Sequence, residues 1–171
     1  MEKEKYKKKK YLLLFTVLLI STSGLAYELV AGTMATYLIG QSVVQFSFAM
    51  GWFLASMGLG SFLSRYSKVN ILKRILQIQI ILGIIGGYSA TILFLAFAYT
   101  DTLYPFFFII ALIIGTGVGF EIPIILRMMG EVRILSLAIS DVLTFDYIGA
   151  LIASKIFPLF LLPHLGLIRS S

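Results

Sequence analysis

Glu28 and Glu121 are the residues best placed to do chemistry, because each lies deep inside an apolar run. A carboxylate within a membrane-spanning helix costs about 2.5–3.5 kcal/mol on insertion scales, so its presence marks a cation site or a proton relay. Their surroundings match: Gly24-Leu-Ala-Tyr27-Glu28-Leu29 and Gly117-Val-Gly-Phe120-Glu121-Ile122. The same costly residue in the same setting points to a duplicated helix. Asp146, next to Tyr147, is a third acid within an apolar stretch and has no capping role. Ser140 or Asp141 suits a helix N-cap, which is the reading we give Asp141. Lys155, nine positions beyond Asp146, points to the opposite face of the same helix. Its expected partner is Glu28 across the bundle or a group on a neighbouring subunit.

The elements that must hold these acids are helices. Hydrophobic residues make up 59% of the chain and charged residues 13%, about half the share a soluble domain needs to wet its surface. Five apolar runs, at 11–38, 43–63, 75–99, 104–128 and 142–162, each reach the roughly 20 residues that cross a bilayer as an α-helix. Backbone groups facing lipid must be satisfied within the segment, and the runs are too long for barrel strands. The expected fold is therefore all-α: a polytopic bundle of about five transmembrane helices (11–171) behind a basic leader (1–10). Pro105 opens the fourth helix, Pro123 is expected to kink it just after Glu121, and Pro158 and Pro163 to bend the end of the fifth.

Orientation follows from lysine and arginine. Lys3, Lys5 and Lys7 to Lys10 in the leader, Arg65, Lys68, Lys73 and Arg74 after helix two, and Arg127 and Arg133 after helix four fall on one side. The loops at Gly40 and Asp101 carry no basic residue, so the N-terminus is expected in the cytoplasm. The formal charge of +6 is explained by this asymmetry and by attraction to anionic headgroups. Nucleic acid is not an expected partner, since no basic face with interleaved aromatics exists. Reading residues 11–20 as the core of a cleaved signal peptide would discard the Glu28 context, and we do not adopt it.

The internal match extends further. Gly51-Trp-Phe-Leu54-Ala55-Ser56 in helix two parallels Gly149-Ala-Leu-Ile152-Ala153-Ser154 in helix five. The glutamates are 93 positions apart and these glycines 98. Helices one to three would then be repeated from helix four onwards. Because three is odd, the second copy would run inverted, as in transporters of the major-facilitator type, whose sites lie near the repeat interface. Small residues at Gly24, Gly32, Gly51, Ala55, Gly115 and Gly119 let helices pack closely. Beside Glu28 they are expected to leave room for water or a ligand. The run Gly115-Thr-Gly117-Val-Gly119 follows no strand and is packing, not a dinucleotide fingerprint. Cysteine is absent and His164 is the single histidine, so thiol chemistry is excluded, and no metal site or cofactor is expected. No P-loop or nucleophile elbow is present, and no catalytic residue is assigned.

The blocks Ser23-Gly-Leu-Ala-Tyr-Glu-Leu-Val-Ala-Gly32, Met57-Gly-Leu-Gly-Ser-Phe-Leu-Ser-Arg65, Gly119-Phe-Glu-Ile-Pro123 and Asp146-Tyr-Ile-Gly-Ala150 resemble the bacterial spermidine synthases that carry an N-terminal membrane domain. Phe157-Pro-Leu-Phe-Leu-Leu-Pro-His-Leu-Gly166 continues the resemblance. It implies a transporter-like membrane region linked to an aminopropyltransferase domain that uses decarboxylated S-adenosylmethionine and putrescine. No Rossmann-like domain precedes Ser171, so no aminopropyl transfer is expected from these residues alone. The resemblance also implies a multi-pass protein of the bacterial inner (plasma) membrane. The expected function is polyamine binding or transport, with Glu28, Glu121 and Asp146 offering carboxylates to the cation and Tyr27, Phe120 and Tyr147 adding cation–π contacts. Two alternatives stand beside it: a structural anchor or assembly domain for an aminopropyltransferase, and a proton-coupled carrier of another cation. A lipid bilayer is the expected partner, with a homo-oligomer or a separate aminopropyltransferase subunit as further possibilities.

Overall fold

A computed structural model of the chain describes residues 2–40, 42–67, 71–100, 104–130 and 134–164. Among them the architecture is all-helical: α1 (Glu2–Ile39), α2 (Ser42–Ser64), α3 (Ile71–Tyr99), α4 (Tyr104–Gly130) and α5 (Leu135–Ile156). Five helices are long and apolar enough to cross a membrane. Large apolar side chains such as Leu12, Phe15, Ile80, Ile84 and Leu151 stand exposed on the outside of the bundle. Such a surface would be a liability in water and is what helices facing lipid tails present. Gln41, Lys68, Asn70, Asp101 and Arg133, which bear on the orientation argument, lie outside the described residues.

Helix α4 is the most buried of the five and forms the spine, packing on all the others. Its contact with α2 is the most extensive in the bundle, followed by that of α1 with α5. The α2–α4 approach depends on glycine. A β-carbon at Gly119 would overlap the backbone of Met57, and one at Gly60 would overlap the Thr116 carbonyl oxygen. At the end of α2, Arg127 donates to the carbonyl oxygens of Ser64 and Ser67, both at 3.0 Å, satisfying acceptors that the helix terminus leaves open.

Two features depart from expectation at the helix ends. Helix α1 starts at Glu2, so the basic leader continues the helix, as runs of Lys and Glu favour. Helix α5 starts at Leu135, seven residues before the expected 142. The proposed capping role of Ser140 or Asp141 is therefore corrected: Ile134 occupies the cap position with no side-chain bond. Asp141 lies inside the helix and forms an ion pair with Lys10, Nζ to Oδ2 at 2.9 Å. An acid that a local reading assigns to a cap is held by a lysine distant in sequence. Pro158, lacking an N–H, is accommodated by a wider π-helical turn over Phe157–Leu161, where the Leu162 N–H reaches back to the Phe157 carbonyl. Pro123 sits inside α4 and leaves the Gly119 carbonyl without its helical donor.

Candidate functional site

The acids gather where α1 crosses α4. Glu28 projects from α1 with 7% of its surface exposed, and Glu121 from α4 with none. Ile20 and Gly24 on α1 meet Val118 on α4 between them. On one side lies a cavity of about 180 Å³ lined by Glu28, Ser21, Met57, Asp146 and Tyr147 among others. On the other lies a cavity of about 140 Å³ lined by Glu121, Ser23, Tyr27, Gln79 and Gly83. The two glutamates thus open into neighbouring compartments rather than one common cavity. Either volume would hold several water molecules.

The compartments differ in how they satisfy their acid. Gln79 of α3 donates from Nε2 to Glu121 Oε1 at 2.8 Å. Glu121 Oε2 has no hydrogen-bond partner, and neither has Glu28 Oε1. Buried polar atoms are almost always paired, so two orphaned carboxylate oxygens beside two cavities are the strongest sign of a site in the molecule. Asp146 lines the Glu28 compartment, and its backbone carbonyl accepts a 2.6 Å bond from Ser21 Oγ, which ties α5 to α1. Thr22 reinforces that seam by donating to the Gly149 carbonyl at 3.2 Å.

The aromatic neighbours of the acids separate. Tyr147 stays with Asp146 at the rim of the Glu28 cavity and is largely exposed. Tyr27 turns away from Glu28, enters the Glu121 compartment and covers Gly86 of α3. Phe120 faces a larger, apolar groove of about 520 Å³ among α2, α3 and α4 that contains neither glutamate. Successive residues on a helix point about 100° apart, so an aromatic ring at i−1 need not accompany the acid at i. Gln79 was missed in the sequence, although an amide within the apolar run of α3 is the kind of residue that flags a polar partner. The suggested pairing of Glu28 with Lys155 is corrected: Lys155 is exposed, whereas Glu28 is buried with one oxygen unpartnered. Among the described residues, no group of three His, Cys, Asp or Glu side chains could hold a metal ion.

Comparison with known proteins gives the chain its relatives. It is 44% identical over 158 residues to the polyamine aminopropyltransferase of Leptospira interrogans, covering 92% of this chain and 32% of that protein. It is 44% identical over 164 residues to polyamine aminopropyltransferase 2 of Ralstonia nicotianae, covering 93% of this chain and 32% of the relative. Polyamine aminopropyltransferase 1 of Streptomyces coelicolor is 34% identical over 164 residues, 95% of this chain and 31% of the relative. The chain thus spans about a third of the length of these relatives, and its similarity is to their N-terminal part. No family model matches it. No solved structure matches it either.

Proposed function

We propose that this chain forms a polyamine-binding membrane region of an aminopropyltransferase-type protein, with Glu28 and Glu121 each taking a polyamine ammonium group in its own compartment. The observation that carries the reading is the pair of buried carboxylates, each with an unpartnered oxygen beside a cavity. A carboxylate withdrawn from water attracts a cation far more strongly than it would at the surface, and ammonium–carboxylate hydrogen bonds are among the strongest in proteins. The names of the relatives favour a polyamine over another cation. Asp146 adds charge on the Glu28 side.

An inverted repeat of transporter type is the framework we favour for this site. It is supported by spacing, for the observed starts of α2 and α5 are 93 positions apart, the same as the two glutamates. Exchanging α1 with α4 and α2 with α5 turns the α1–α5 seam into the α2–α4 seam, and these are the two most extensive contacts of the bundle. Purified chain reconstituted into vesicles should take up labelled putrescine, and Glu28→Gln should abolish uptake. Uptake indistinguishable from protein-free vesicles would favour the structural anchor. We place the protein in the bacterial inner membrane with its N-terminus in the cytoplasm. Cysteines at Gln41 and Asp101 should then react with an impermeant thiol reagent in intact cells, while one at Asn70 should not; the reverse pattern would overturn this orientation.

A further inference from the structure

The two carboxylate compartments are divided by a thin wall. Ile20, Gly24 and Val118 line both of them. Gly24 contributes no side chain, and a β-carbon there would lie 3.0 Å from Val118 Cγ1 and 3.3 Å from Cγ2. The isopropyl group of Val118 therefore fills the gap that the missing α1 side chain leaves, and with Ile20 it makes the partition. Both side chains are buried. Valine in a helix holds essentially one rotamer, so this partition does not swing aside as a longer, unbranched chain would. On either side of it waits an orphaned oxygen, Glu28 Oε1 and Glu121 Oε2.

Volume gives the partition a consequence. At about 180 Å³ and about 140 Å³, each compartment falls below the range, from about 300 Å³ upward, in which small-molecule pockets are found. Joined, they would reach it. We propose that Val118 is a specificity-determining residue that sets the length of the cation this membrane region accepts. With valine in place, each compartment takes one ammonium end and a short alkyl stem. With the partition thinned, a single linear polyamine bridges Glu28 and Glu121 and makes a charge-assisted hydrogen bond at each end. This inference rests on the cation-binding reading of the site.

The test is equilibrium binding of labelled putrescine and labelled spermine to the chain in lipid nanodiscs, comparing wild type with Val118→Ala. The preference for spermine over putrescine should rise about tenfold in the variant, the equivalent of one additional charge-assisted bond. Adding either Glu28→Gln or Glu121→Gln to Val118→Ala should remove that gain, because bridging requires both acids. Ile20→Ala thins the same partition from α1 and carries the same expectation where Val118→Ala does not fold. Wild-type binding with a preference unchanged by both thinning variants would overturn the role of Val118 and leave the cation site standing. A gain that survives loss of either glutamate would also overturn it. Absence of binding by wild type and variants alike would overturn the cation-binding reading and this inference together.

Discussion

Glu28 and Glu121 occupy matched sequence contexts on α1 and α4, yet the protein treats them differently. Glu121 is sealed by Gln79 of α3, which holds one of its oxygens, and by Tyr27 of α1 at its side. Glu28 opens toward α5, where Asp146 and Tyr147 line its cavity and no described amide reaches its free oxygen. The glycine positions diverge in the same way. Two residues before Glu121 stands Gly119, pressed on the backbone of Met57, while two residues before Glu28 stands Ala26. Similar local sequences therefore supply the same acid, and the third helix decides how well that acid is satisfied. The carboxylate with fewer protein partners is the freer to take a ligand.

This contrast can be broken first at the packing positions. Gly119→Ala should lower stability by about 3 kcal/mol, because backbone atoms of α2 cannot move aside as a side chain can. Ala26→Gly, at the matched position, should cost only about 0.5–1 kcal/mol through backbone entropy. Thermal midpoints of the two variants in the same detergent would check this, and equal losses would mean that the two seams are equally tight.

A second test concerns the amide. Gln79→Leu leaves the buried Glu121 Oε1 without its donor and should cost about 1–3 kcal/mol. Combining it with Glu121→Leu should recover much of the loss, because both polar partners are then replaced by apolar side chains of similar size. Combining Gln79→Leu with Glu28→Gln should give no more than the sum of the two single effects, and a rescue beyond that sum would mean that the two compartments are not independent.

The smallest effect is expected at the partly exposed ion pair that joins α1 to α5. Lys10 and Asp141 are each about a quarter exposed, so Lys10→Met should change stability by no more than about 1 kcal/mol, and less at high salt. A larger, salt-independent loss would give this pair a structural weight that its exposure does not.

The number and type of the helices were legible in the sequence because an apolar run of more than 20 residues has few other uses. The three acids were legible for the same reason, being costly where they stand. Helix ends and partners were harder. Leu135 to Ile139 could join α5 or the preceding connection, and Asp141 suited a cap until Lys10, far away in sequence, proved to be its partner. Tyr27 and Phe120 were expected to add cation–π contacts to the cation; the turn of the helix places Tyr27 in the Glu121 compartment and Phe120 in a groove that contains neither glutamate. Val118 gives no signal in the sequence, for only the crossing of α1 and α4 makes a partition of an ordinary valine.

The central claim is that the buried glutamates hold a polyamine cation, and equilibrium binding of labelled putrescine to the purified chain in nanodiscs tests it most directly. Glu28→Gln and Glu121→Gln keep the shape and hydrogen-bonding capacity of the acid while removing a charge that is expensive within a membrane, so both should fold with thermal midpoints at or above wild type. Each should weaken putrescine binding in its own compartment about tenfold or more, as expected for losing the charge from a charge-assisted hydrogen bond. Full-strength binding by both well-folded variants, or no binding by the wild type, would contradict the account and leave the helices an anchor.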